Sequence, residues 1–355
     1  MLEDMRHLAS LETIRNLRPI PDADAIEVGS VRGWDIVVRK GEFTAGDAVL
    51  FVEPDAALPL DDPRFEFLRP RGCKTIDGQE YHVLKTARLR GQLSQGIVFP
   101  ASQFAELTDP GVLASPGEGQ GINLDAILGI VLYEPPLPAG AAGIIGPWDI
   151  RWLKKSDAER VQNLSDEWLR GVDDGLWRAT TKIDGSSHTV LRDGDQLRVY
   201  GRNWQIDATN PNTAVYREIV SSRLLEWMAD HQIDAVQGEL FGEGIQSNRQ
   251  GIKRQRFAVF AAWRNDNGSA ADRLAEAMGT AAAYGLYVVP SLDIAFPQTI
   301  KQALEQADAL SGSVTPGKRD EGIVWHHLGQ RYFPDLDGRI VFKAVSNKYL
   351  LKHGL

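Results

Sequence analysis

The sequence predicts an α+β fold, with a small N-terminal β-barrel followed by a C-terminal domain of antiparallel sheets flanked by helices. At 355 residues the chain exceeds one average hydrophobic core. Its first third contains short apolar runs separated by glycines, whereas the remainder alternates strand-like and helix-like segments. A nearly uncharged Pro-, Gly- and Ala-rich stretch lies between them. We therefore expect domains at residues 1–133 and 148–355, joined by a linker at 134–147.

The N-terminal third is predicted to be β-rich. Its strand-like segments are short apolar or β-branched runs bounded by glycines, at 25–29, 34–38, 48–52 and 95–100. Strands of this length with glycine corners are typical of a small closed or nearly closed barrel. An OB fold and an SH3-like barrel both match this pattern. A helix is predicted here only at 101–107.

The C-terminal part is predicted to contain both strands and helices. A serine with a glutamate three residues later indicates a capped helix start at 156–161. Around the chain midpoint, segments 176–181, 188–191 and 197–200 are expected to form antiparallel strands joined by Asp-Gly turns. The other predicted strands are 235–241, 256–263, 322–327 and 339–342, and the other predicted helices are 212–231, 270–284 and 298–310.

The composition is that of an ordinary globular protein, with 43% hydrophobic and 25% charged residues and a net charge of −9. The single cysteine, Cys73, excludes an internal disulfide and favours a reducing compartment. The first residues are charged, and no apolar run reaches the roughly 18 residues that span a bilayer. We expect a cytoplasmic monomer without membrane contact.

Positive charge is nevertheless concentrated in three segments. Residues 64–92 carry seven Arg or Lys against three acids, while residues 247–256 and 339–355 each carry four bases and no acid. Such segregation suits a surface that binds phosphates. Solvated faces without a ligand would produce the same pattern, and both interpretations stay open at this point.

The stretch Lys182-Ile183-Asp184-Gly185 is the centre of the predicted site. A lysine at a strand end, followed by a carboxylate and a glycine that permits a turn, suits an amine that attacks phosphorus. Downstream, Glu239 lies between glycines, Glu321 precedes a glycine and an apolar strand, and Lys343 lies on a late strand. With the aromatic segment 257–260, these residues predict a nucleotide pocket.

A neutral amine is required for such an attack, yet the reference pKa of lysine is about 10.4. Nearby carboxylates from Asp184, Glu239 and Glu321 would raise the pKa of Lys182 further. A divalent cation, Mg²⁺ or Mn²⁺, bound among these three carboxylates through waters would reverse the sign of the local charge. The sequence therefore predicts a metal-dependent enzyme.

The order of these motifs resembles the covalent nucleotidyltransferase superfamily, which comprises ATP-dependent DNA ligases, RNA ligases and GTP-dependent capping enzymes. The resemblance extends from Lys182 to Lys343. It implies the following residues: Lys182 as nucleophile with Asp184 and Gly185, Arg202 on the ribose or a nucleic-acid phosphate, Glu239, Phe260 stacking on adenine, Glu321, and Lys343. Phe257 is the alternative stacking residue.

Within this superfamily the chain is similar to the fifth RNA ligase family, whose members seal nicks and carry an N-terminal OB domain. The similarity lies in Gly238-Glu239-Leu240-Phe241-Gly242, in the N-terminal position of the barrel, and in segments 88–96, 157–163 and 346–350. It implies that Arg160 also binds the nucleotide and places Thr181 in the nucleotide-binding set. In one departure, Val341 occupies the position of the first of two lysines that many RNA ligases carry here, which leaves Lys343 to neutralise the α-phosphate.

The resemblance implies an ATP-dependent RNA ligase with ATP and Mg²⁺ or Mn²⁺ as cofactors. Lys182 would form lysyl-AMP, AMP would pass to a 5′-phosphate, and a 3′-hydroxyl would displace it. The expected substrate is nicked duplex nucleic acid with RNA at the 3′-hydroxyl end. Two alternatives remain, namely an RNA-binding protein with an inactive ligase fold, and a DNA ligase or GTP-dependent capping-type enzyme.

Overall fold

A computed structural model describes residues 7–108, 124–133, 143–155, 157–329, 333–336 and 340–355. Most of the predicted linker (134–142), Ser156 and Arg339 lie outside them. The chain divides into two compact units. In the described residues, one comprises 143–161 and 166–349, and the other comprises 7–108, 124–133, 162–165 and 350–355. The domain boundaries stay a prediction. Within the described part, no helix is long and apolar enough to cross a membrane.

The N-terminal unit is built from short antiparallel strands. They pair as β1-β5-β11, β2-β3-β4, β12-β6-β8-β7 and β9-β10. The elements are β1 (Ala9–Thr13), β2 (Asn16–Pro19), β3 (Ile26–Val31), β4 (Trp34–Arg39), β5 (Ala48–Val52), β6 (Ala56–Pro59), β7 (Lys74–Ile76), β8 (Gln79–Val83), β9 (Ala87–Leu89), β10 (Gln92–Ser94), β11 (Ile97–Pro100), α1 (Leu124–Ile127) and β12 (Val131–Leu132).

Strand β5 lies between two hydrophobic clusters of this unit. Val49 and Phe51 contribute to one cluster with Trp34, whereas Leu50 and Val52 contribute to the other. This alternation follows from the two-residue period of a strand, because successive side chains point to opposite faces. Both faces of β5 are therefore apolar because each face packs in a separate hydrophobic cluster. The predicted helix at 101–107 forms only two short 3₁₀ turns.

The C-terminal unit contains two sheets with helices packed against them. The larger sheet has the order β13-β18-β17-β16-β19-β20-β21, and the smaller has the order β14-β25-β24-β15-β23. The elements are β13 (Ile144–Pro147), β14 (Glu159–Arg160), α2 (Asp166–Val172), β15 (Trp177–Lys182), β16 (Ser186–Asp193), β17 (Gln196–Tyr200), β18 (Trp204–Ile206), α3 (Leu224–Asp230), β19 (Ala235–Phe241), β20 (Arg256–Asp266), β21 (Ser269–Asp272), α4 (Leu274–Thr280), β22 (Tyr287–Val288), β23 (Ser291–Leu292), α5 (Ile300–Ala309), β24 (Gly322–His327), β25 (Val341–Val345) and α6 (Asn347–His353).

The segment Ile183-Asp184-Gly185 passes from one sheet to the other. It connects β15 of the smaller sheet to β16 of the larger sheet, so the predicted hairpin between these strands is wrong. A Cβ atom at Gly185 would lie 2.4 Å from the carbonyl oxygen of Leu240. Glycine is therefore required here because β19 passes so close, and not because the backbone makes a left-handed turn. The Asp-Gly turn predicted between β16 and β17 does join paired strands.

Three further predictions of helix differ from the structure. The predicted helix start at 156–161 is wrong, because Glu159 and Arg160 form β14, which pairs in parallel with β25. A local capping pattern is weak compared with backbone pairing to a neighbouring strand. The helix predicted at 212–231 is divided into a π-helical turn (Tyr216–Val220) and α3. The helix predicted at 270–284 begins as β21 and becomes helical only at α4.

Candidate active site

Lys182 is the last residue of β15 and lies opposite Gly322 of β24. Because Glu321 immediately precedes that glycine, its carboxylate meets the lysine, and Nζ is 2.7 Å from Glu321 Oε1. Gly322 also lets the neighbouring strand β25 lie close to β24, because position 322 has no side chain. A Cβ atom there would lie 2.2 Å from the carbonyl oxygen of Ala344. The ion pair thus follows from strand register.

Glu239 reaches the same place from the larger sheet, on β19. Burial lowers the pKa of Lys182, but Glu321, Glu239 and Asp184 together outweigh it and raise that pKa above its ordinary value. Burial also raises the pKa of Glu239 to about 8, although the positive charge of Lys182 opposes this shift. The pKa of Glu321 is raised by burial as well. The amine is therefore held as an ammonium ion by an excess of acidic groups.

Glu239 should make the metal-free protein less stable as the pH rises. Between its ordinary pKa of 4.5 and about 8, the folded protein keeps a proton that the unfolded chain has released. The free energy of unfolding contributed by this group therefore falls as the pH rises through this interval. Since Glu239→Gln cannot titrate, its stability relative to the native protein should increase by about 3 kcal/mol from pH 5.5 to 8.5. Calorimetric melting without divalent metal measures this, and parallel pH profiles would contradict it.

Asp184 does not pair with Lys182 directly. Its Oδ2 accepts a hydrogen bond from Arg249, at 2.8 Å, and another from the hydroxyl of Tyr349, also at 2.8 Å. Burial raises the pKa of that phenol, and the Asp184 charge adds to the effect. Neither partner was identified as a site residue from the sequence. The basic segment 247–256 was the one signal for Arg249, and Tyr349 lies in segment 346–350, which carried the family similarity without a role for the tyrosine.

A second cluster lies around Asp157, which is not among the predicted site residues. Its Oδ1 accepts a hydrogen bond from Lys343 Nζ at 2.9 Å, and its Oδ2 accepts one from Arg202 at 2.8 Å. The side chains of Lys343 and Asp157 are 13% and 14% exposed. Arg160 lies opposite Lys343 in the β14–β25 register. The structure therefore brings three predicted nucleotide-binding residues together, with one aspartate between two of them.

The two aromatic candidates lie in different surroundings. Phe257 is buried in the hydrophobic core of the larger sheet, where it also contacts the position of Gly238. Phe260 is half-buried and packs in the cluster that contains Ile183, next to the lysine. Phe260 also occupies a register shift between β19 and β20. Thr181 is buried, and its hydroxyl donates to Ser313 Oγ at 2.9 Å.

The basic segment at 64–92 is only partly available to a ligand. Arg64 pairs with Asp62 and Glu106, and Arg69 pairs with Glu80. The remaining bases differ in being exposed at the surface of the N-terminal unit; they are Arg71, Lys74, Lys85, Arg88 and Arg90. Of these, Arg88 lies on β9 and Arg90 lies in the β9–β10 turn. The surface charge is therefore smaller than the sequence count but still positive.

Comparisons with known proteins agree with this arrangement. An OB-fold domain model matches residues 8–101, and an RNA ligase model matches residues 175–345. A Naegleria gruberi RNA ligase with PPi is 33% identical with a TM-score of 0.83, covering 98% of this chain and 99% of that chain. A glutamate-to-alanine mutant of that ligase with AMP and Mn gives the same values. A lysine-to-alanine mutant with ATP and Mn is 34% identical with a TM-score of 0.82 over 98% and 99%. A search of curated proteins gave no match.

An OB-fold domain, together with a two-sheet domain whose strand-end lysine lies among carboxylates, defines a ligase-type nucleotidyltransferase. The chain belongs to the RNA ligase family. The predicted α+β class and the resemblance to RNA ligases with an N-terminal OB domain are confirmed, and the SH3-like alternative is wrong. Family membership also means that the substrate is nucleic acid.

Proposed function

We propose that this protein is an ATP-dependent RNA ligase that joins 3′-hydroxyl and 5′-phosphate ends at nicks, through lysyl-AMP and an adenylylated 5′ end. The observation that supports this most directly is the position of Lys182 at the end of β15, where its side chain is 24% exposed and its Nζ lies 2.7 Å from Glu321. A structural ion pair would not need the additional carboxylates of Glu239 and Asp184, both of which raise the pKa of the lysine. Enzymes arrange perturbed groups of this kind at sites of chemistry.

The carboxylates fit a divalent cation. Glu321 Oε2 is a buried oxygen without a hydrogen-bond partner in the described residues, and burial raises the pKa of Glu239 to about 8. No three His, Cys, Asp or Glu side chains of the described part form an all-protein metal cage, which suits Mg²⁺ or Mn²⁺ held largely through waters by Asp184, Glu239 and Glu321. Such a cation supplies positive charge that lowers the pKa of the amine and stabilises charge on the α-phosphate.

The protein's own residues then have distinct tasks. Glu321 Oε1 is in place to accept the proton that the Lys182 amine must lose before attack. Phe260 offers its ring to adenine on the face that carries Ile183. Lys343, with Arg160 opposite it, provides positive charge for the α-phosphate. Arg202 binds the ribose or a nucleic-acid phosphate. Thr181 and Gly185 shape the site through the backbone.

The reaction proceeds in three transfers, and each one forms one bond to phosphorus and breaks another. The Lys182 nitrogen forms a bond to the α-phosphorus of ATP while the bond to pyrophosphate breaks. The 5′-phosphate of the nick then displaces the lysine and takes the AMP. The 3′-hydroxyl finally attacks the 5′ phosphorus, loses its proton, and releases AMP as the phosphodiester forms. All three steps depend mainly on positioning and electrostatic stabilisation.

The N-terminal unit is suited to hold the duplex. Its exposed bases, including Arg71, Lys74, Arg88 and Arg90, offer contacts to backbone phosphates that do not depend on sequence. Recognition of A-form shape and 2′-hydroxyls would account for RNA at the 3′ end of the nick.

We propose that the protein acts as a cytoplasmic monomer.

Sealing and labelling assays test this function. With Mg²⁺ and labelled ATP or GTP side by side, we expect covalent AMP on the protein and no covalent GMP. GTP labelling alone would indicate a capping-type enzyme, and no labelling at all would indicate an inactive binding protein.

A panel of nicked duplexes tests the substrate, with each strand varied between RNA and DNA. We expect a ribose at the 3′-hydroxyl end to be required for sealing, with at least a tenfold preference over a deoxyribose. Equal sealing of an all-DNA nick would contradict this expectation and favour a DNA ligase.

A further inference from the structure

Trp204 is an exposed tryptophan on a turn beside the candidate active site. Tryptophan side chains are usually well buried, yet this one is 49% exposed. The turn formed by residues 201–204, here called the Arg202 turn, is fixed by a hydrogen bond from the Gly201 amide to the Trp204 carbonyl at 2.9 Å. Trp204 also pairs with Pro147 on β13. The backbone that carries the indole is therefore held by the turn and by pairing with β13.

Two cationic side chains belong to or contact the same turn. Arg202 lies two residues earlier and bonds Asp157, which also bonds Lys343. Lys155 Nζ donates to Asn203 Oδ1 at 2.7 Å, so a second cation lies against the same turn. An exposed ring with neighbouring cations is the arrangement by which proteins hold single nucleic-acid strands. Through Asp157 and Lys343, the turn is also continuous with the nucleotide site.

We propose that Trp204 is a stacking platform for one base of the strand end that is being joined, with Arg202 and Lys155 contacting its flanking phosphates. The inference rests on the proposed ligase function and names a nucleic-acid subsite for it. Stacking needs only the π face of a base, so the subsite would be tolerant of sequence. Trp204 would act after lysyl-AMP formation, when the nucleic acid must be aligned.

A different occupant deserves comparison because Ile144 and Ile145 on β13 are also exposed, at 53% and 60%. With Trp204 they could form an apolar surface for a second copy of the chain. The cations at the Arg202 turn favour nucleic acid, since a self-associating surface would bring the positive charges of both copies close together.

The test compares Trp204→Ala and Trp204→Phe with the unchanged protein on an RNA nick. We expect formation of covalent protein-AMP from ATP to be unchanged in both variants. For sealing, Trp204→Ala should raise the KM for nicked RNA about tenfold, as expected for one lost stack, and Trp204→Phe should recover most of it. Leu176→Ala, at another half-exposed apolar side chain, is the matched control. Failure of the unchanged protein to form protein-AMP would contradict the proposed ligase function itself. Normal protein-AMP formation with unchanged sealing by Trp204→Ala would contradict only the stacking role.

Abasic nucleotides placed one at a time on each side of the nick locate the contact. At the stacked position, removing the base should weaken sealing by the unchanged protein but cost the Trp204→Ala variant no further loss. Additive losses at every position, or unchanged sealing by Trp204→Ala, would overturn the stacking role. Concentration-dependent dimerisation that disappears in Trp204→Ala, with sealing intact, would also overturn it and assign the surface to a second copy.

Discussion

Lys182→Ala is expected to abolish covalent AMP attachment and sealing of nicks that carry a 5′-phosphate, a loss on the order of 10⁴-fold or more. No other described amine can replace it in the same position. Lys343 lies on a different strand and bonds Asp157. Truncation also leaves Glu239 and Glu321 buried without the ammonium that balances them. Gel separation of the protein after incubation with labelled ATP measures the first step.

A nick whose 5′ end is already adenylylated shows whether Lys182→Ala has lost only its nucleophile or has also lost its folded structure. Its closure requires a 3′-hydroxyl attack but no lysine nucleophile, so Lys182→Ala should retain a measurable part of this activity. Lys301→Ala, an exposed lysine of α5, controls for loss of a charge alone. Sealing of 5′-phosphate nicks by Lys182→Ala at a rate near that of the unchanged protein would refute the covalent mechanism.

Much of the site could be predicted because its residues lie at strand ends and next to glycines, and both features are recognisable in the local sequence. Lys182, Glu239 and Glu321 converge as expected, and strand register accounts for the meeting of Lys182 and Glu321. The role of Gly185 was only half predicted. Its lack of a side chain matters for the approach of β19, a contact between segments more than 50 residues apart.

The pairings between distant segments were not predictable. Asp157 bonds Lys343 across 186 residues of chain, and Tyr349 bonds Asp184 across 165. A carboxylate in a charged segment resembles any solvated acid until the fold places it between two cations. For the same reason the capping pattern near Asp157 suggested a helix, whereas pairing of β14 with β25 determines the local structure.

Lys343→Ala is expected to slow protein-AMP formation by about 10²- to 10³-fold, the range for removing one preorganised group that stabilises transition-state charge. The loss should lie toward the upper end because Val341, two residues earlier on β25, provides no second lysine. Asp157→Asn should cost less, about tenfold in the maximal rate, because Lys343 and Arg202 keep their charges but lose a shared carboxylate. The KM for ATP should not rise, since a negative charge near the triphosphate has been removed.

Single-turnover rates of the two variants and of the double variant test whether Asp157 acts through Lys343. If it does, adding Asp157→Asn to Lys343→Ala should cost less than it does alone, with the remainder assigned to Arg202. Asp149→Asn is the matched control, because Asp149 bonds Arg198 and Tyr200 in the same unit. Fully additive losses, or a raised KM for ATP with an unchanged maximal rate, would show that Asp157 does not position Lys343 for the transfer.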